Sequence, residues 1–136
     1  MPITVTWDGG VRFVGSNDRG NTVVMEPGPK YEGSGQNPTP MEIVAMALGG
    51  CTGIDIAMMM KKMRVALKRL EIQIETKRRT EPPEYFEEIH LTYTMAGDGL
   101  TEENAKRAVS LSNDKYCSVG AMLGARAKIT YSVRVE

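Results

Sequence analysis

The 136-residue chain is of single-domain size, and about two thirds of its surface can be buried on folding. Its 17 basic and 17 acidic side chains cancel, which removes the basic excess that nucleic acid or an anionic membrane would select, and 41% apolar with 25% charged residues is the mix of a folded globule rather than a disordered chain. Two cysteines and one histidine neither complete a Cys/His zinc site nor staple a disulfide-rich secreted scaffold.

Ile3, Val5 and Trp7 alternate with polar neighbours, Asp8-Gly9-Gly10 turns the chain, and Val11 and Phe13 alternate again. After a second turn over 16–21, Val23-Val24-Met25 completes a predicted three-stranded meander over residues 1–26. The opening MPITVTWDGG has neither the basic nor the apolar region of a signal peptide, so the cytoplasm is the expected compartment. Gly and Pro residues make 27–39 a loop.

A long helix is predicted over 40–64. Thr39 is its N-cap, Pro40 its first helical residue, and Glu42, three after Thr39, completes a capping box. Between Ile43 and Met60 the one charged side chain is Asp55. That length suggests a membrane span, but Gly49, Gly50, Gly53, the internal Asp55 and the lack of a second span argue for a buried core helix. A helix apolar on nearly every face must be covered all round. A chain this small has little material to cover it, so burial against a second copy, or beneath a sheet plus a partner, is expected, with Ala47→Asp preventing dimer formation.

Leu70, Ile72 and Ile74 alternate with Glu71, Gln73 and Glu75, and Ile89, Leu91, Tyr93 and Met95 alternate with Glu88, His90, Thr92 and Thr94. These are read as half-buried antiparallel strands over 69–78 and 86–96, joined through Glu81-Pro82-Pro83. Thr101 caps a helix reaching about Asn113, a short helix spans Cys117 to Leu123, and Ile129, Tyr131, Val133 and Val135 form a last strand. The order βββ-α-ββ-αα-β is α+β, a single domain over 1–136.

The chemistry centres on sulfur. Cys51 sits in Gly49-Gly50-Cys51-Thr52-Gly53, where each glycine weakens the helix by roughly 1 kcal/mol relative to alanine. Close packing or a pocket beside the missing side chains would offset that; the bland alternative is a small buried cysteine. Cys117 lies near the start of the short helix, whose N-terminus is expected to lower its pKa. Two thiols are the minimum for a cycle of sulfenic acid, disulfide and reduction by an external dithiol. His90, alone on a polar strand face, is a poor candidate base. Asp55 shares the helix face of Cys51 and would raise its pKa unless a cation such as Arg12, Arg19 or Lys30 intervenes. Gly50-Cys51-Thr52-Gly53 also fits the GxxG of a KH nucleic-acid module, without flanking basic residues. The ten methionines are read as core filler.

Asn37-Pro38-Thr39-Pro40-Met41-Glu42, Ala47-Leu48-Gly49-Gly50-Cys51 and Tyr116-Cys117-Ser118-Val119, with the second cysteine 66 positions after the first, resemble the OsmC/Ohr family of osmotically inducible and organic-hydroperoxide-resistance proteins, in its OsmC-like branch. The resemblance spans nearly the whole chain. It implies an intertwined α+β homodimer that reduces organic hydroperoxides, with Cys51 peroxidatic and Cys117 resolving. No cofactor or metal is implied, and the partners are a second copy, a small apolar hydroperoxide and an external dithiol, with no nucleic acid or membrane. The family's glutamate lies ten residues before the cysteine, where this chain has Met41; Glu42, nine before, is the candidate that remains. No arginine falls at the family position before the helix, where Lys30 and Tyr31 lie. The alternative is a non-enzymatic small-ligand-binding or stress-related dimer of the same fold.

Overall fold

The computed structural model describes residues 2–136, and the chain divides into two compact units, Met1–Met46 and Ala47–Glu136. In the first, β1 (Thr4–Trp7), β2 (Phe13–Ser16) and β3 (Thr22–Met25) form the expected antiparallel meander. Pairing of Val5 with Gly15, Trp7 with Phe13, Gly15 with Val23 and Phe13 with Met25 places these residues on one face of the sheet. That face is apolar, yet Val5, Trp7, Phe13 and Val23 are exposed.

Glu26, which the sequence did not single out, is buried just beyond β3. Its carboxylate accepts from the backbone N–H and hydroxyl of Ser34 and from Asn37 Nδ2 at 2.9 Å. The Ser34 hydroxyl first, then Asn37, hold it below the usual carboxylate pKa. This carboxylate pins the loop that leads to the first helix, α1 (Pro40–Lys62).

The capping box forms as expected. Glu42 N–H donates to Thr39 Oγ1 at 3.2 Å, and Thr39 N–H donates to Glu42 Oε1 at 2.9 Å. Of the helix, Leu48, Thr52, Ile56 and Met60 are buried, a single stripe at four-residue spacing. Met46, Gly50, Ile54, Ala57 and Met58 are exposed on the other side. The helix is long and apolar enough to cross a membrane by length and composition, with mean hydropathy 1.8.

The second unit holds a three-stranded sheet of β4 (Ala66–Arg78), β5 (Phe86–Asp98) and β6 (Lys128–Val135), in that spatial order. The predicted antiparallel pairing of β4 and β5 is present, but β6 runs parallel to β5, so the sheet is mixed. The reason is the connection: parallel neighbours need a long crossover, and here α2 (Glu102–Leu111) and α3 (Ser118–Gly124) fill it. Alternate residues Ile89, Leu91, Tyr93 and Met95 of β5 are at most 1% exposed. Each such side chain contributes about 1.5–3 kcal/mol by leaving water.

The glycines of α1 have distinct reasons. A Cβ at Gly49 would lie 2.9 Å from Ile74 Cδ1, and one at Gly53 would lie 3.3 Å from Ile72 Cδ1, whereas Gly50 faces open space. Gly49 and Gly53, one turn apart, thus let β4 side chains approach the helix axis.

Gly97 sits opposite the irregularity between Leu67 and Arg69, where its Cβ would come within 2.5 Å of the Ala66 carbonyl oxygen and 3.1 Å of Leu67 Cα. Backbone atoms cannot swing aside as a side-chain tip can. Gly97→Ala is therefore expected to lower stability by about 1–3 kcal/mol, read as a reduced midpoint in chemical denaturation; an unchanged midpoint would show that the β4–β5 pair shifts freely.

Candidate active site

Cys51 lies midway along α1 and is half-buried, while Cys117 is buried at the N-cap of α3; both thiols are free. The fold brings them from 66 residues apart into one neighbourhood, where Cys51 is among the groups that raise the pKa of Cys117. Cys117 is held by its own backbone. Its N–H donates to the Ser112 carbonyl at 2.8 Å, and its Sγ accepts from the Gly120 N–H at 3.3 Å. A Cβ on Gly120 would lie 3.2 Å from that sulfur, so the glycine leaves the thiol its room.

The expected lowering of the Cys117 pKa at a helix N-terminus is overturned. Burial pushes the thiol up to about 11, neighbouring Cys51 adds to the rise, and the Gly120 N–H offsets only part of it. Cys117 therefore stays protonated at neutral pH. Its contribution to stability is present below the ordinary value of 9.0 and fades as pH climbs toward about 11, because the unfolded thiol releases its proton first. Alkylation of Cys117 in the native protein is accordingly expected to stay slow at pH 8 and to accelerate between pH 9 and 11. Fast labelling at pH 8, followed by peptide mass spectrometry, would contradict this placement.

Behind the thiols runs a buried hydroxyl chain that sequence patterning did not reveal. Between α2 and α3 the backbone makes one π-turn, Ser112–Tyr116, rather than the simple helix end predicted near Asn113. Ser112 Oγ donates to Asp55 Oδ2 at 2.9 Å and lies 2.7 Å from Thr52 Oγ1, which is 2.9 Å from the Tyr93 hydroxyl. Asn113 Nδ2 donates both to that hydroxyl at 3.1 Å and to the Val109 carbonyl at 2.9 Å. Burial holds the Tyr93 pKa above its ordinary value.

A cleft of about 310 Å³ opens beside α1. Met58, Met59, Met63 and Leu111 give it apolar walls, and Asp55, Lys62, Arg107 and Tyr116 complete its lining. Residues 51, 55, 58, 59 and 62 fall within one stripe of a helix, so the cleft runs along the face that carries Cys51. Part of the methionine cluster therefore lines an opening rather than filling the core.

The other candidates are placed as follows. The Glu42 carboxylate is engaged in the capping box. His90 Nδ1 lies 2.7 Å from Thr130 Oγ1 and its Nε2 lies 3.0 Å from Ser132 Oγ, so both ring nitrogens are occupied on the sheet. In the first unit Arg12 pairs with Asp8 at 2.9 Å, Arg19 lies 3.9 Å from Asp18, and Lys30 stacks 5.7 Å from the Tyr31 ring. Gly50 to Gly53 are helical, not the loop that a KH clamp requires. Among the described residues no cluster of His, Cys, Asp or Glu suits a metal ion.

This arrangement defines a class: an α+β protein in which a long helix and the cap of a short one carry two free, neighbouring thiols. The chain belongs to the OsmC-like family, whose model, described as OsmC-like protein, matches residues 33–132. Protein YhfA of Escherichia coli strain K12 is 36% identical over 135 residues, covering 99% of this chain and 98% of that protein. Among solved structures, a protein from Aquifex aeolicus VF5 superposes with TM-score 0.82 at 28% identity, covering 99% of this chain and 96% of the other. An organic hydroperoxide resistance protein from Elizabethkingia anophelis superposes with TM-score 0.76 at 14% identity, covering 100% and 97%. The expected OsmC-like α+β fold is thereby shown.

Proposed function

We propose that the protein is a cytoplasmic, homodimeric, thiol-dependent reductase of organic hydroperoxides. One observation carries this reading: a half-buried thiol on the same helix stripe as the residues of a largely apolar cleft, with a second, protonated thiol in its neighbourhood. The Cys51 thiolate attacks the terminal peroxide oxygen, the O–O bond breaks, and the alkoxide leaves with a proton as the alcohol. Cys51 is then a sulfenic acid. The Cys117 sulfur, giving up its proton, displaces that hydroxyl as water and closes a disulfide. An external dithiol returns two electrons and two protons. A buried, protonated Cys117 suits the second step, because it leaves the first attack to Cys51. Methionine and leucine walls favour alkyl hydroperoxides over hydrogen peroxide.

The homodimer is supported by two exposed apolar surfaces, the Val5–Trp7–Phe13–Val23 sheet face and the Met46–Ile54–Met58 side of α1. Single chains rarely leave such surfaces in water.

The decisive assay follows hydroperoxide consumption with a dithiol donor. Turnover in the native protein, lost in Cys51→Ser, supports the enzyme; equal rates in both end it. The second reading, a non-enzymatic ligand-binding dimer, is favoured by the engagement of Glu42 at its own N-cap. A Cys51 pKa well below 7 supports the reductase, and one at or above the free-thiol value of about 8.5 supports the binder.

A further inference from the structure

Ser112 touches both cysteine-bearing segments. Its hydroxyl reaches α1 through Asp55, four residues after Cys51, and through Thr52, the residue next to it. Its carbonyl receives the Cys117 N–H at 2.8 Å. Ser112 is 0% exposed and Thr52 1%, so water does not compete for the bond between them, and Asp55 holds the Ser112 proton from a half-buried position.

The donors and acceptors in this chain have one consistent order. A carboxylate only accepts, so the single Ser112 proton goes to Asp55. Ser112 Oγ must then accept from Thr52, and Thr52 Oγ1 must accept from Tyr93. The Tyr93 oxygen accepts from Asn113, whose other amide proton is held by the Val109 carbonyl. Every proton is committed and no member can rotate without orphaning a buried neighbour, which costs about 1–3 kcal/mol. A π-turn is rare and often marks a functional position. Here its first residue is Ser112, and Cys117 is the residue immediately after it.

We propose that Ser112 is a positioning residue: a bracket, locked by Asp55, Thr52, Tyr93 and Asn113, that holds the segment of Cys117 against the helix of Cys51 and so sets how readily the two sulfurs join. This rests on the dithiol reading above and adds to it the groups that govern disulfide closure. Chemically, the bracket raises the effective concentration of one thiol at the other. In exchange with oxidised glutathione, two protein thiols become one disulfide while the oxidant becomes two molecules of reduced glutathione, so the equilibrium constant measures that concentration directly.

The test is this equilibrium, read by thiol alkylation and mass spectrometry on the full chain at pH 7. Ser112→Ala removes the hydroxyl and is expected to lower the constant at least tenfold, a rise in potential of about 30 mV for a two-electron couple. Asp55→Ala should fall equally, and this half-buried position keeps the test available if Ser112→Ala does not fold. Asp55→Asn keeps an oxygen for the Ser112 proton and should stay within twofold of the native value. Ile89→Ala, a core truncation on β5 away from the bracket, should lower stability and leave the constant unchanged. Equal constants in Ser112→Ala, Asp55→Ala and the native protein overturn the bracket, as does an Asp55→Asn that falls as far as Asp55→Ala. A native protein that forms no Cys51–Cys117 disulfide overturns the peroxidase reading instead.

Discussion

Cys51→Ser is expected to abolish dithiol-supported hydroperoxide reduction, with a loss on the order of 10³-fold or more, since removing a nucleophile leaves only binding and the local field to act. The serine hydroxyl fits where the thiol was, so the fold is retained. It is not a nucleophile at neutral pH without a base, and the lone histidine is tied to Thr130 and Ser132. Cys117→Ser separates the two chemical steps. Cys51 still reacts once with peroxide, so one equivalent of alcohol per chain is expected in a burst. Steady turnover should then slow, because the sulfenic acid must wait for an outside thiol. Stopped-flow measurement with an alkyl hydroperoxide checks both variants. Undiminished turnover in Cys51→Ser would remove Cys51 from the reaction, and undiminished turnover in Cys117→Ser would remove only the resolving role.

Ile54→Asp is expected to dissociate the proposed homodimer. In the single chain Ile54 is 63% exposed, so a carboxylate there is hydrated and should leave the folded monomer intact. Placed under a second copy it becomes an unpaired buried charge, costing several kcal/mol. A weakening of 4 kcal/mol would be roughly a thousandfold in dissociation constant. Ala47→Asp, on the same exposed side of α1, should act in the same way. Sedimentation equilibrium reads the mass and circular dichroism the fold. A dimer that survives Ile54→Asp would show that this side of α1 faces solvent, and a native chain that sediments as a monomer would end the proposal.

Much of the architecture was legible because it rests on local periodicity. Ile89, Leu91, Tyr93 and Met95 announce a half-buried strand by alternation, and Thr39 with Glu42 announces a helix start by a reciprocal hydrogen bond three residues long. Strand β4 begins three residues earlier than predicted, at Ala66, because its pairing continues past an irregularity that interrupts the alternation. Helix α2 ends before the predicted Asn113, since Ser112 opens a π-turn whose i→i+5 bond no periodic pattern encodes. The parallel docking of β6 was equally hidden, because an alternating strand reads the same in either direction.

By itself, then, the order of residues determined the α+β class, the long apolar helix with its cap, and the motifs around Cys51 and Cys117 that resemble one family. Only the tertiary structure decided what surrounds the sulfurs. The pKa of Cys117 goes up rather than down because burial outweighs the single N–H of its cap, and burial is a property of neighbours distant in the chain. Asp55, read from the sequence as a charge opposing reactivity, gains a partner in Ser112, 57 residues away. A hydroxyl in a sequence is a surface residue until folding removes its water and commits its one proton; that commitment is made by contacts between segments, not within them.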